Sequence, residues 1–310
     1  MTAEFDGASG ETVHTGRDTY RYLRAGMVVV IVMLFAAIFI DSLPTDCWQG
    51  SISAYYYTAA RNVLVATLCC LGIMLIVYKG SNDTEDVLLN LAGTLAFFVA
   101  FVPIKLPEVA GCRQVLPTAE EKSDAITNNV GGVIVALAVA GAIIAFVYFV
   151  DKESRSDTSR WGNRLRVIAG IVLAGFVIAY LCFPTQFEAA AHWVAAVLIF
   201  VLIGAVVFIN AYLVSNQDKQ DPATRERFRR RYRVIGWMMV GSVVGALIVA
   251  LTGKLSDIEG EAWNIPVFAL ETALLLEFAL FWAFQTFELW DHADRNTLIS
   301  DEQQETLAPL

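Results

Sequence analysis

The chain has 310 residues, of which 56% are hydrophobic and only 17% charged. A soluble domain usually carries about 25% charged residues, so an ordinary water-soluble globule is excluded. The formal charge of −9 excludes a basic nucleic-acid surface as well.

The apolar residues lie in blocks of roughly 18 to 27, long enough to cross a hydrocarbon core of about 30 Å. The first block, Ala25–Leu43, follows a mixed-charge tail, residues 1–24, that ends in Arg17, Arg21 and Arg24. It leads into Asp41 and Pro44 rather than a small-residue cleavage site, so it reads as an uncleaved span. Further blocks follow at Asn62–Tyr78, Val87–Ile104, Val130–Val150, Val167–Phe183, Ala189–Val214, Val234–Leu251 and Ile265–Leu289. The expectation is an all-α, polytopic transmembrane bundle of about eight spans over residues 25–290, with a second tail at 291–310.

Basic residues set the orientation. With the N-terminus in the cytosol, all but five of the 22 Lys and Arg fall on the cytosolic side, including Arg225, Arg227, Arg229, Arg230, Arg231 and Arg233. The five on the other side are Arg61, Lys105, Arg113, Lys122 and Lys254. Both termini are therefore expected in the cytosol, in a bacterial inner membrane. This topology puts Cys47 and Cys112 in outer loops, where a disulfide can persist. Cys182, at the outer end of span five, competes as a partner. Small residues four apart, Gly132/Ala136/Ala140 and Gly241/Gly245, predict close helix packing within the monomer.

Ionisable residues inside lipid cost at least about 2.5 kcal/mol each, which makes them candidates for function. Span eight has two. Counted from Trp263, Glu271 lies about 12 Å deep and Glu277 about 21 Å deep, some 120° apart around the helix. Glu277 and Glu288 share a face, and Gln285 lies near the Glu271 face. Glu188 and His192, one turn apart at the outer end of span six, are within reach of a mutual hydrogen bond. A histidine so oriented suits pH sensing or base chemistry better than zinc binding, for which no second intramembrane His exists. The stretch Ser51–Asn62 carries Tyr55, Tyr56 and Tyr57 followed by Arg61, and the Tyr57 ring can lie one turn from the guanidinium. Arg61 has Asp41, Glu188 and Glu271 as candidate ion-pair partners, or an anionic head group.

The segment Ile40–Tyr78, with Asp41-Ser42-Leu43-Pro44, Ser51-Ile52-Ser53 and Arg61-Asn62-Val63, resembles uncharacterised bacterial multipass membrane proteins, as does Pro266–Thr272. More loosely it resembles the DRAM-type family of eukaryotic membrane proteins, where an Ile-Ser motif follows the first span. DRAM-type proteins have about six spans, so the chain departs from that pattern. The resemblance implies a membrane-embedded module with lipid-related or trafficking roles and no assigned catalytic residues. Glu188-Ala-Ala-Ala-His192 is only superficially similar to the first element of the intramembrane zinc hydrolases, whose late His pair is absent.

No nucleophile, nucleotide or metal motif stands out, so no cofactor is expected. The leading expectation is a bundle that binds or transports a small or lipid-like ligand in an outer-leaflet or mid-membrane pocket. Glu271 is its central group, with Arg61, Tyr57, Glu188, His192 and Asp41 around it. The alternatives are a lipid-modifying enzyme using His192 as base with Glu188 behind it, and a scaffold assembled with other membrane proteins. Membrane lipids are the expected surroundings in each case.

Overall fold

The computed structural model describes residues 3–44, 46–104, 117–150, 159–256, 264–292 and 295–300. Eight helices follow one another: α1 (Ala3–Ser42), α2 (Arg61–Val77), α3 (Asp83–Phe101), α4 (Ala119–Val150), α5 (Arg160–Cys182), α6 (Pro184–Ser215), α7 (Pro222–Ser256) and α8 (Asn264–Glu288). No strand occurs among the described residues. Seven of these helices are long and apolar enough to cross a membrane, and α2, with 17 residues, is shorter.

The helix starts follow from local chemistry. Asn82 caps α3, its side-chain oxygen accepting from the Glu85 amide at 2.8 Å. Ser159 caps α5 in the same way through the Gly162 amide. Proline occupies the first turn of α6, where a missing N–H costs nothing. Asp83, in the first turn of α3, accepts from the Ser159 amide and hydroxyl and pairs with Arg166, tying α3 to α5.

Six helices close a ring in the order α1, α2, α3, α6, α7, α8 and back to α1. Helices α4 and α5 stand outside it against α3, with α5 also touching α6. The tightest crossing is α2 on α3. A Cβ placed on Gly72 would lie 2.8 Å from the Gly93 carbonyl oxygen, and one on Gly93 would lie 2.5 Å from that of Gly72. Only glycine fits at either position.

The small-residue stripes behave differently from expectation. A Cβ on Gly132 or Gly241 would meet nothing within 4 Å, and only Gly245 packs, against Leu270. Gly132, Ala136 and Ala140 lie on an exposed face of α4. That helix has few neighbours in the bundle, so its small residues have nothing to approach. Large exposed side chains such as Ile144, Phe146, Ile171 and Leu181 cover the outer faces of α4 and α5, as a lipid-facing surface requires.

Two ends of the bundle can be told apart. At one, Arg21 donates to the Trp290 carbonyl and the fully buried Arg24 to the Leu289 carbonyl at 3.0 Å, joining the first helix to the end of the last. The α6–α7 turn and residues 295–300 lie here too: the Lys219 amide donates to the Leu298 carbonyl and the Ser300 amide to Asp218. This is the terminal end. The opposite, loop end carries the stretch from Ser42 to Ala60, which folds inward as a 3₁₀ turn, Ser53–Tyr57.

Candidate functional site

The 3₁₀ turn is anchored from several sides. The Tyr55 hydroxyl lies 2.5 Å from Ser42 Oγ at the end of α1 and accepts from the Gln49 amide. Tyr57 donates to the Ile104 carbonyl at 2.7 Å. Both rings are buried. Burial raises the pKa of Tyr55, and it pushes that of Tyr57 up to about 12, with the Tyr56 hydroxyl adding to it and Arg61 opposing.

Held this way, the turn presents Ser53 and its preceding peptide to α8. Glu271 Oε2 accepts from the Ile52 amide at 2.5 Å and the Ser53 amide at 3.3 Å. Its other oxygen, Oε1, lies 3.3 Å from Ser53 Oγ. The same hydroxyl is 2.9 Å from His192 Nε2 on α6, while His192 Nδ1 is 2.7 Å from the Val102 carbonyl oxygen. Val102 caps the C-terminus of α3, where carbonyls lack helical partners and remain available. The buried His192 fills that vacancy. One serine thus joins an acid on the last helix to an imidazole across the ring.

Below this triad the ring encloses a cavity of about 100 Å³. Leu34, Leu71, Val99, Phe200, Leu275 and Phe278 are among the residues lining it, and Ser53 and Glu271 form its polar end. Its lining on α2 runs from Leu64 to Leu75, about 16 Å of helix. It is a narrow apolar slot with one hydrogen-bonding end.

The expected site residues are only partly brought together. Glu271 and His192 meet through Ser53. Glu188 does not orient His192: its Oε1 accepts from Ser123 of α4 at 3.1 Å. The ring nitrogens of His192 are taken by other helices, and neighbouring helices outbid a same-helix contact. Arg61 lies over Tyr56, 4.2 Å from the ring centroid, and donates to its hydroxyl at 2.6 Å. Tyr57, the expected ring, points inward to Ile104 because the 3₁₀ turn alters the register. Glu271 and Glu188 have the partners just named, so neither is the ion-pair partner of Arg61. Asp41 ends α1 near Tyr55, where its charge opposes ionisation of the phenol. Glu277 turns to α7 and accepts from Ser242 at 2.9 Å.

Cys47 is disulfide-bonded. Cys182, the competing partner, is a free thiol, as are Cys69 and Cys70. Cys112 lies outside the described residues.

A second polar cluster, not anticipated from the sequence, fills the terminal end. Arg295 grips Glu288 with both Nε (3.0 Å) and Nη2 (2.6 Å), and all of it is buried. Glu288 also accepts from Gln217 at 2.8 Å and from the Tyr232 hydroxyl at 2.5 Å. Arg295 reaches on to Asn210, whose amide donates to Glu85 at 2.8 Å. Gln285 donates to Asn210. Burial alone disfavours a charged guanidinium, but the Glu288 carboxylate more than offsets it, so the pKa of Arg295 rises above its ordinary value. The shared face of Glu277 and Glu288 was legible, since both point to α7. That a tail arginine would enter the bundle had no sequence signal beyond Asn210 lying in an apolar span.

The chain matches no protein-family model, no curated protein and no solved structure. Its class comes from the fold: a multipass α-helical membrane protein, with seven helices long and apolar enough to span.

Proposed function

We propose that the protein binds, and by protonation releases, a small amphipathic ligand within its ring of helices. The cavity carries this reading: an apolar slot closed at one end by Ser53 and Glu271. A short alkyl chain of a few carbons suits the slot, and a head group that donates hydrogen bonds, an amine or alcohol, suits the ionised Glu271 carboxylate. The chain would cross the membrane eight times, counting the short α2, with both termini in the cytosol. The asymmetry of Lys and Arg supports that orientation. Asp41, Arg61, Tyr57 and Glu188 then act indirectly, holding the loop and its neighbours on the outer side.

Binding of butylamine and butyrate to the detergent-purified protein tests the reading. Ala96 lines the slot, and Ala96→Phe fills it. Butylamine should bind the native protein more tightly than butyrate, and Ala96→Phe should weaken it at least about tenfold. Equal affinities for native and filled proteins would discard the cavity as the site.

One observation favours a second reading, a serine hydrolase or acyltransferase acting on lipids. Ser53 Oγ lies 2.9 Å from His192 Nε2, and Nδ1 is held by a carbonyl, as a general base requires. Glu271, however, occupies the two backbone amides beside the hydroxyl that an oxyanion would need. Covalent labelling of Ser53 by a fluorophosphonate, lost in His192→Ala, would move the assignment to this enzyme class.

A further inference from the structure

We infer that Glu271, Ser53 and His192 form a proton relay, in which the Ser53 hydroxyl turns between the carboxyl group and the imidazole and reports the charge of one to the other.

The argument is one of counting protons. The Val102 carbonyl only accepts, so His192 Nδ1, 2.7 Å away, carries hydrogen. In a neutral imidazole Nε2 is then bare and accepts. Ser53 has one hydroxyl hydrogen but two acceptors within reach, Nε2 at 2.9 Å and Glu271 Oε1 at 3.3 Å. Both contacts are satisfied together only if one further proton is present. Oε2 is occupied by two amide hydrogens, so that proton sits on Oε1. The chain then runs in one direction: Oε1–H donates to Ser53, Ser53 donates to Nε2, and Nδ1–H donates to Val102.

The same number of protons supports a mirror arrangement. If the Oε1 proton passes to Ser53 and the hydroxyl proton passes to Nε2, the imidazolium donates to Ser53 and Ser53 to the carboxylate. No bond to carbon changes and no outside reagent is needed. When the extra proton leaves altogether, the hydroxyl swings to the carboxylate and Nε2 loses its donor. Loss of charge neutrality on α8 is thereby felt on α6, on the far side of the slot.

The other charged and titratable groups nearby are already committed. On the 3₁₀ turn Tyr55 is bound to Ser42 and Tyr57 to Ile104, and on α2 Arg61 lies on Tyr56. On α6, Glu188 is bound to Ser123 of α4. Asp41 on α1 acts on Tyr55, and Lys122 on α4 is the cation whose field reaches the imidazole. Among the described residues of α3 that face His192, Val99 and Val102 offer only carbonyls. Glu271 and His192 are left to exchange a proton with each other.

The inference does not depend on the ligand reading, since it concerns the unliganded protein. The test uses the full chain in phosphatidylcholine nanodiscs, with ¹⁵N-labelled histidine and infrared detection of the Glu271 carboxyl band, identified by its loss in Glu271→Gln. The ¹⁵N resonance of His192 Nε2 should be that of an unprotonated acceptor at low pH. It should lose its hydrogen-bond shift with the same midpoint as the carboxyl band. Ser53→Ala should abolish the pH-linked shift, and Ser53→Thr, which keeps a hydroxyl, should restore it. An Nε2 signal indifferent to Glu271 in the native protein, or still following it in Ser53→Ala, would overturn the relay whatever happens to alkyl-chain binding.

Discussion

The two polar clusters inside the bundle are built on opposite principles. At the terminal end, Arg295, Glu288, Asn210, Tyr232 and Gln285 interlock from four parts of the chain, and every one of them is buried. Its one full positive charge lies against a full negative one in a two-pronged grip, the strongest form of side-chain pairing. At the loop end, one Ser53 hydroxyl lies within reach of two partners, Glu271 and His192, and Ser53 and Glu271 open onto a cavity. The terminal network is locked by the Arg295–Glu288 ion pair, although Gln217 Oε1 and Gln285 Oε1 accept no hydrogen bond within it. The loop-end triad has no such lock, and its one hydroxyl has two orientations open to it. The lesson is that burial of charge alone does not mark a working site; a hydroxyl shared between two acceptors beside open space does.

The comparison can be broken most directly at Arg295. Removing it strands the Glu288 carboxylate in a low-dielectric interior, so Arg295→Gln is expected to cost about 3–5 kcal/mol. Thermal unfolding of the purified protein would register this as a large drop in Tm. Arg295→Met with Glu288→Leu should recover most of the loss, because neither charge is then left alone. If Arg295→Gln melts like the native protein, the terminal cluster is not structural.

A smaller effect tests the anchoring of the loop that carries Ser53. The folded pKa of Tyr57, about 12, exceeds that of an unfolded tyrosine near 10. The folded state therefore keeps a proton that the unfolded chain releases. Its contribution is intact below pH 10 and falls away as pH rises toward 12, by at most about 1.4 kcal/mol per pH unit. Urea unfolding of the native protein across this range should show the slope, and Tyr57→Phe should reduce it. The same slope in both would mean that the phenol does not hold the loop.

The smallest stability change is expected at Glu271. Glu271→Gln keeps an oxygen for the Ile52 and Ser53 amides and removes only the ability to ionise, so Tm should move by less than the equivalent of about 1 kcal/mol. A loss as large as that of Arg295→Gln would erase the distinction between the two ends.

How much of this was legible in the chain depends on the range of the interaction. The helices follow from block length and hydropathy, and all eight blocks became helices. Glu271 was singled out correctly as an acid turned inward, because an intramembrane carboxyl has few alternatives. Its partners were not legible. Ser53 is a small polar residue in a loop and carries no cost that would draw attention. Its role exists only because the turn meets α6 and α8, and the order of helices around a ring leaves no trace in periodicity. For the same reason Glu188 was matched with His192. Spacing along one helix exposes neighbours at i and i+4, whereas the actual contacts, Ser123 and Val102, lie on α4 and at the end of α3. Arg295 was read as part of a cytosolic tail because it follows the last apolar block. The glycines at 72 and 93 were missed because a single glycine per helix makes no stripe.

Ring closure between α1 and α8 has a consequence for biogenesis. Of the two helices that meet, α1 leaves the ribosome long before α8, and Arg295 emerges later still. Earlier helices can enter the bilayer and pair as α2 does with α3, but the ring of helices stays open along one seam until synthesis has passed α8. Glu288 reaches the membrane before its counter-charge does. Chains halted in that interval should therefore present an open seam and a lone acid to the proteases that police membrane insertion.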